Sequence, residues 1–308
     1  MPKPKGPHVL PACALVVALA AGSALAADRQ ASFDGARAFE DLKRLVAFGP
    51  RPPGSAALEQ SRRWILQQLK PTGAQVEEDS FTASTPIGNL PMSNLIAKFP
   101  GSSAKVVIVA GHYDTKLEKY FKFVGANDGG SSAAFLIEMA RALGQRKNAL
   151  TYWVVFFDGE EAIREQWEGT DNTYGSRHLV EKLSASGQLG HIQALILVDM
   201  IGDADLAIPR EAESTPWLVD TIFRSARRLG YGRYFPDSSM AVGGDDHMPF
   251  LNSGVAAADL IDFDYGPNHS YWHTDKDTVE HCSPNSLAIV GRVVLETLSQ
   301  LEKSGPAK

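Results

Sequence analysis

Tyr152-Trp153-Val154-Val155-Phe156-Phe157-Asp158-Gly159-Glu160-Glu161 decides both how this chain folds and where its chemistry sits. The first six residues have the β-branched and aromatic content of a buried strand, Asp158-Gly159 turns the chain, and two acids follow at once. In open α/β sheets, ligands collect just beyond the carboxyl ends of the strands. Neighbouring residues on a strand face opposite sides, so Glu160 and Glu161 can serve one site only from irregular backbone such as this turn. One carboxylate then binds a cation while its neighbour stays free as a base. A lone Glu-Glu pair reads as two solvated charges, and the rest of the chain decides between the two readings.

Working outward, strand-like runs fall at Val106–Ala110, Ala194–Met200 and Val255–Ile261 as well as Tyr152–Phe157. Helix-like segments lie among and after them at 131–144, 175–185, 215–230 and 284–302. Nearer the N-terminus, helical spacing over 33–48 and 55–70 is interrupted by the Gly-Pro-rich breaker at 49–54, and 74–99 reads as a hairpin turning at Pro86-Ile87-Gly88. This alternation predicts an α/β fold: one domain, 27–308, with a central mostly parallel mixed sheet and helices on both faces.

At 308 residues and 44% hydrophobic content the chain can bury a sizeable core. A formal charge of -6 with no basic run argues against nucleic acid as a partner. Lys3 and Lys5, an apolar stretch from Val9 to Ala20 and the small residues Ala24-Leu25-Ala26 predict a signal peptide over 1–26. Export to a periplasm or the exterior is the expected fate, without stable membrane association, because no later segment reaches about 18 apolar residues. Cleavage leaves Cys282 as the sole cysteine, which excludes an intrachain disulfide, and nothing local lowers its pKa, so it reads as a packing residue.

The strand ends deliver acids and histidines: His112 and Asp114 after the first run, Glu160 and Glu161 after the second, Asp199 at the end of the third. Asp128 lies in Gly125-Ala126-Asn127-Asp128-Gly129-Gly130, and His273 in Trp272-His273-Thr274-Asp275. Any one of these alone reads as a helix cap or a satisfied polar residue. As a set of carboxylates and imidazoles without thiolate, they suit zinc in a catalytic site, where three protein ligands leave one position open.

These motifs resemble the zinc-dependent M28 peptidase clan over about residues 33–303. The shared elements are Gly111-His112-Tyr113-Asp114, Ala126 to Gly130, Glu160-Glu161 and His273-Thr274 with Asp277-Thr278. Within the clan, Phe157 to Ala162, Trp167, Tyr174 to Leu179, Asp245-Asp246-His247-Met248-Pro249-Phe250-Leu251 and Trp272 resemble the glutaminyl cyclases of animal type. The resemblance implies a zinc aminopeptidase-like fold and a glutaminyl-peptide cyclotransferase that turns N-terminal glutamine, and less readily glutamate, of peptides or proteins into pyroglutamate. It implies one zinc per chain held by Asp128, Glu161 and His273, with Glu160 as general base and acid. Asp199 and Asp246 form a carboxylate network around Glu160, and Trp167 and Trp272 wall the pocket. Asp259 stands where the animal enzymes carry a histidine. It, Asp262 and Asp264 remain open between network members, ligands of a structural cation and solvated loop acids.

Two other functions compete. His112, Asp128 and Asp199 together complete a second metal site, as in an M28-type two-zinc aminopeptidase. A non-catalytic exported binding module reuses the scaffold without needing Glu160.

Overall fold

The computed structural model describes residues 1–3 and 32–304, so the expected signal segment lies, apart from its first three residues, outside the described residues. From there the chain enters α1 (Gly35–Val46) and α2 (Ala56–Leu69). Asp34 caps α1 by accepting from the Arg37 N–H at 3.0 Å, and Ser55 caps α2 by accepting from the Leu58 N–H at 3.1 Å. Next come β1 (Gln75–Thr85), β2 (Gly88–Phe99), β3 (Val106–His112), α3 (Gly130–Gly144), β4 (Thr151–Phe157), α4 (Tyr174–Ala185) and β5 (Ile192–Asp199). The C-terminal third adds β6 (Arg210–Glu211), α5 (Pro216–Arg228), β7 (Ser239–Met240), α6 (Met248–Asn252), β8 (Ala257–Ile261) and α7 (Pro284–Ser304).

The main sheet has the order β1-β2-β4-β3-β5-β8. β4, β3, β5 and β8 are parallel, while β1 and β2 form the expected antiparallel hairpin, whose β2 is also antiparallel to β4. The single-domain mixed α/β expectation therefore holds. Alternation along each buried strand supplies two apolar faces. Val107, Val109, Val154, Phe156, Ile196 and Val198 face a large core with α1, α3, α5 and α7. Ile108, Ala110, Val155, Phe157, Leu195 and Leu197 face a smaller core containing Leu179 and Leu183 of α4 and Phe250 of α6.

Boundaries of the six expected helices fall within two residues of the sequence reading. The paired β6 and β7 and the short α6 were not anticipated, because two to five residues carry no readable period. Cys282 is buried in the larger core with its thiol 3.8 Å from the Thr278 carbonyl, as a packing residue should be. Among the described residues no helix is long and apolar enough to cross a membrane.

Candidate active site

Parallel pairing in the order β4-β3-β5 puts the carboxyl ends of three strands side by side, and the predicted residues meet there. Asp128 arrives from the turn before α3 and His273 from the loop after β8. His273 Nε2 lies 3.2 Å from Asp128 Oδ2 and 3.1 Å from Glu161 Oε1. His112 Nε2 lies 3.2 Å from the other Asp128 oxygen and 3.1 Å from Asp199 Oδ1. Two three-residue donor clusters thus share Asp128: one with Glu161 and His273, one with His112 and Asp199. Glu160 lines the same cavity, its Oε2 3.7 Å from His112 Nδ1, the ring nitrogen opposite the one that faces Asp128 and Asp199.

Asp114 positions the two glutamates, its carboxylate accepting from the Glu160 N–H at 3.2 Å and the Glu161 N–H at 3.3 Å. Asp277 does the same for the metal-side turn. It accepts from the Asn127 N–H at 2.7 Å, the Asp128 N–H at 3.1 Å and the Tyr265 hydroxyl at 3.0 Å. Gly129 is required at φ +73°, since a Cβ there would lie 2.2 Å from the Asp114 carbonyl oxygen. Met200, directly after Asp199, and His273 adopt φ of 48° and 50°. Such left-handed non-glycine residues cluster where a site over-determines its backbone.

Burial drives the Glu160 carboxyl well above the usual glutamate range; His112 opposes this, while Asp245, Glu161 and Asp246 add to it. Burial also raises Glu161, against the attraction of His273. Burial opposes protonation of His273, yet Glu161 and Asp128 outweigh it and push the ring up to about 10. Asp128 is held below the ordinary carboxylate range because His112 and His273 overcome its burial. The set therefore draws positive charge to the space between Asp128, Glu161 and His273. Two carboxylates and an imidazole with no thiolate match a three-ligand zinc centre.

A cavity of about 560 Å³ opens over this cluster, and Trp167, Trp272, Phe263 and Ile261 supply its apolar lining. Trp272 stacks on the His273 ring at 4.0 Å and 20°, so it both walls the cavity and orients a donor. Trp167 sits on the rim, 36% exposed. Asp199 lines the cavity; of the Asp245-Asp246 pair it is Asp245 that lines it, whereas Asp246 is fully buried outside the lining. Asp246 still belongs to the surrounding electrostatics, pushed up to about 7 by burial, with Asp114 and Asp199 raising it against Ser176 and His112.

Residues 94–298 match Peptidase family M28. The glutaminyl-peptide cyclotransferase-like protein of Bos taurus is 32% identical over 284 residues, covering 81% of this chain and 72% of that protein. The chain belongs to the glutaminyl cyclases of peptidase family M28. Among solved structures, the glutaminyl cyclase of an Acidobacteriales bacterium is 42% identical, with a TM-score of 0.86 over 92% of this chain and 100% of its own. A Zn-dependent exopeptidase from Parabacteroides distasonis is 26% identical, with a TM-score of 0.79 over 87% and 98%.

The structure adds residues of this glutaminyl cyclase that the sequence reading passed over. Lys116 is 3% exposed, lines the cavity and donates from Nζ to the carbonyls of Ala162 at 3.0 Å and Arg164 at 2.9 Å, tying down the start of the Trp167 loop. Arg51, inside the Gly-Pro breaker, is wholly buried. Its guanidinium donates to the carbonyls of Tyr113 (3.3 Å), Gly49 (3.3 Å), Val124 (2.8 Å) and Gly125 (3.0 Å). It thus ties the breaker to both ends of the single β3–α3 connection, which carries Asp114 and Asp128. Arg51→Met orphans four buried carbonyls and is expected to cost about 3–5 kcal/mol in stability, read from the denaturant midpoint. An unchanged midpoint would remove Arg51 from the scaffold.

Of the three open acids, Asp259 and Asp262 are buried at 2% and 1% exposure, so neither is a solvated loop acid, whereas Asp264 is exposed. Asp262 accepts from the Ala207 N–H at 2.7 Å and so fastens the loop after β5. Asp158 accepts from the Ser93 N–H at 2.8 Å and the Tyr113 hydroxyl at 3.2 Å. Burial, aided by the charge of Asp114, pushes it up to about 8. The folded state therefore holds a proton that the unfolded chain releases at the ordinary carboxylate pKa. That contribution is full below about pH 4 and is lost as pH rises through about 8. Asp158→Asn should make the fall in melting temperature between about pH 5 and pH 8 shallower, and an identical slope would contradict this assignment.

Proposed function

We propose that this chain is an exported glutaminyl-peptide cyclotransferase with one zinc at its catalytic centre, acting on peptides or proteins that begin with glutamine. The observation that carries the reading is the shared cavity floor, where Asp128, Glu161 and His273 form one donor set and Glu160 stands beside it outside that set. The N-terminal Lys3-to-Ala26 pattern supports export.

In the reaction the α-amine nitrogen of the substrate attacks the carbonyl carbon of its own side-chain amide. The new C–N bond closes a five-membered lactam, and the side-chain nitrogen leaves as ammonia. Asp128, Glu161 and His273 would hold the zinc, which would supply Lewis acidity for that carbonyl. Glu160 takes a proton from the attacking amine and returns it to the departing nitrogen, so atoms and protons balance within one turnover. A base that must next act as an acid works best with a pKa raised toward neutrality, the direction burial and neighbouring carboxylates impose on Glu160. Asp114 fixes the backbone of both glutamates, Asp199 and the Asp245-Asp246 pair surround Glu160 with negative potential, and Trp167 and Trp272 narrow the entrance around one small side chain.

One observation favours a second reading, the two-zinc aminopeptidase: His112 and Asp199 with the shared Asp128 form a complete second donor set. A coupled ammonia assay separates the two. Ammonia released from a glutamine-first peptide, with no amino acid released from a leucine-first peptide, supports the cyclase; the reverse pattern supports the peptidase.

A further inference from the structure

Asp259 lies in the middle of β8, between Ala258 and Leu260 of the larger core, and its side chain points to the opposite face of the sheet. At 2% exposure, neither of its carboxylate oxygens meets an N–H or hydroxyl donor, and its carboxylate lies against that of Asp245. Beside it are Asp245, 4% exposed with Oδ2 unpartnered, and His247, wholly buried with Nδ1 unpartnered. Buried polar atoms without partners are rare, and two adjacent carboxylates in a dry space need a positive charge between them. One ligand atom from each of Asp245, His247 and Asp259 falls within 4.8 Å of the others.

We propose that Asp245, His247 and Asp259 form a second metal site, separate from the Asp128 centre, that takes a divalent cation of the zinc type. The two carboxylates balance the ion's charge, and one imidazole with two carboxylates is a zinc-like donor set. His247 Nδ1 lies 3.9 Å from Asp259 Oδ2, too far for a hydrogen bond. It falls within the roughly 4.2 Å that two ligands, each about 2.1 Å from a shared ion, can span. The other ring nitrogen, Nε2, faces Glu211 Oε2 at 3.4 Å. Glu211 is itself held by the Ser214 N–H and hydroxyl, both at 2.7 Å, and that hydroxyl also accepts from the Asp259 N–H at 3.0 Å. A carboxylate behind the distal nitrogen of a histidine is the usual outer support of a metal-bound imidazole. The cation would clamp the loop carrying Asp245, which lines the catalytic cavity, to the sheet at β8.

The test is zinc counting on chelator-stripped protein reloaded with Zn2+ and desalted, together with anomalous scattering at the zinc edge from wild-type crystals. The expected result is one more equivalent in wild type than in Asp259→Asn, retention of that equivalent in Glu161→Gln and in His112→Asn, and an anomalous peak among Asp245, His247 and Asp259. Equal counts in wild type and Asp259→Asn with no peak there would overturn the site and assign a proton shared by the two carboxylates. Should Asp259→Asn fail to fold by circular dichroism, the wild-type anomalous map decides alone. An equivalent lost with His112→Asn instead would place the extra ion in the two-zinc aminopeptidase arrangement, which contradicts both this site and the one-zinc reading. Failure to cyclise glutamine peptides would leave the zinc count unaffected, so the two inferences fail separately.

Discussion

Glu160→Gln is expected to lower kcat/KM for a glutamine-first peptide by about 10³-fold while zinc content stays at the wild-type value. The amide keeps the size of the side chain but cannot collect the proton of the attacking amine or deliver it to the leaving nitrogen, so both halves of the reaction lose their carrier. The donors Asp128, Glu161 and His273 are untouched, and the contact to the Asp114 carboxylate uses only the backbone N–H of Glu160. In the wild type, activity should rise with pH across a range above the ordinary glutamate pKa, because the base must be ionised and burial holds its pKa up. The substrate amine must also be neutral, which steepens the same limb. A Glu160→Gln enzyme within tenfold of wild type would show that the proton travels by another group.

Asp128→Ala should weaken zinc binding by more than about 100-fold, since loss of an outer support alone costs about 10–100-fold. Asp128 is the sharpest choice because its two oxygens face different imidazoles, His112 at 3.2 Å and His273 at 3.2 Å. Competition with a chromogenic chelator reads the affinity. His112→Asn provides the contrast: in the one-zinc reading it leaves the Asp128, Glu161 and His273 set whole and keeps zinc, whereas in a two-zinc enzyme it forfeits one equivalent. Asp128→Ala protein that held zinc as tightly as wild type would remove Asp128 from the ligand set.

Much of this site was legible because its residues sit where strands end. Strand runs of four to eight apolar residues followed by acids or histidines mark the carboxyl edge of a parallel sheet, and Glu160, Glu161, His112 and Asp199 all fall at that edge. The structure brings Asp128 and His273 to them as the motifs implied. Asp245 and Asp246 are identical neighbours, and only the path of the backbone before α6 shows that Asp245 is the one facing the cavity. Arg51 was hidden because a Gly-Pro-rich stretch reads as a mere breaker, although its guanidinium bonds to four carbonyls from two loops. Asp259 gave a signal, an acid inside an apolar strand run, but its His247 and Asp245 neighbours are brought to it by tertiary packing that no local period records.

The measurement that bears most directly on the central claim is mass spectrometry of a glutamine-first peptide after incubation with the purified enzyme, with and without a chelator. The account predicts a product lighter by one ammonia, formed only when the metal is retained. A product lacking its whole first residue would contradict it in favour of the aminopeptidase, and an unchanged peptide with zinc still bound would contradict the enzyme reading altogether.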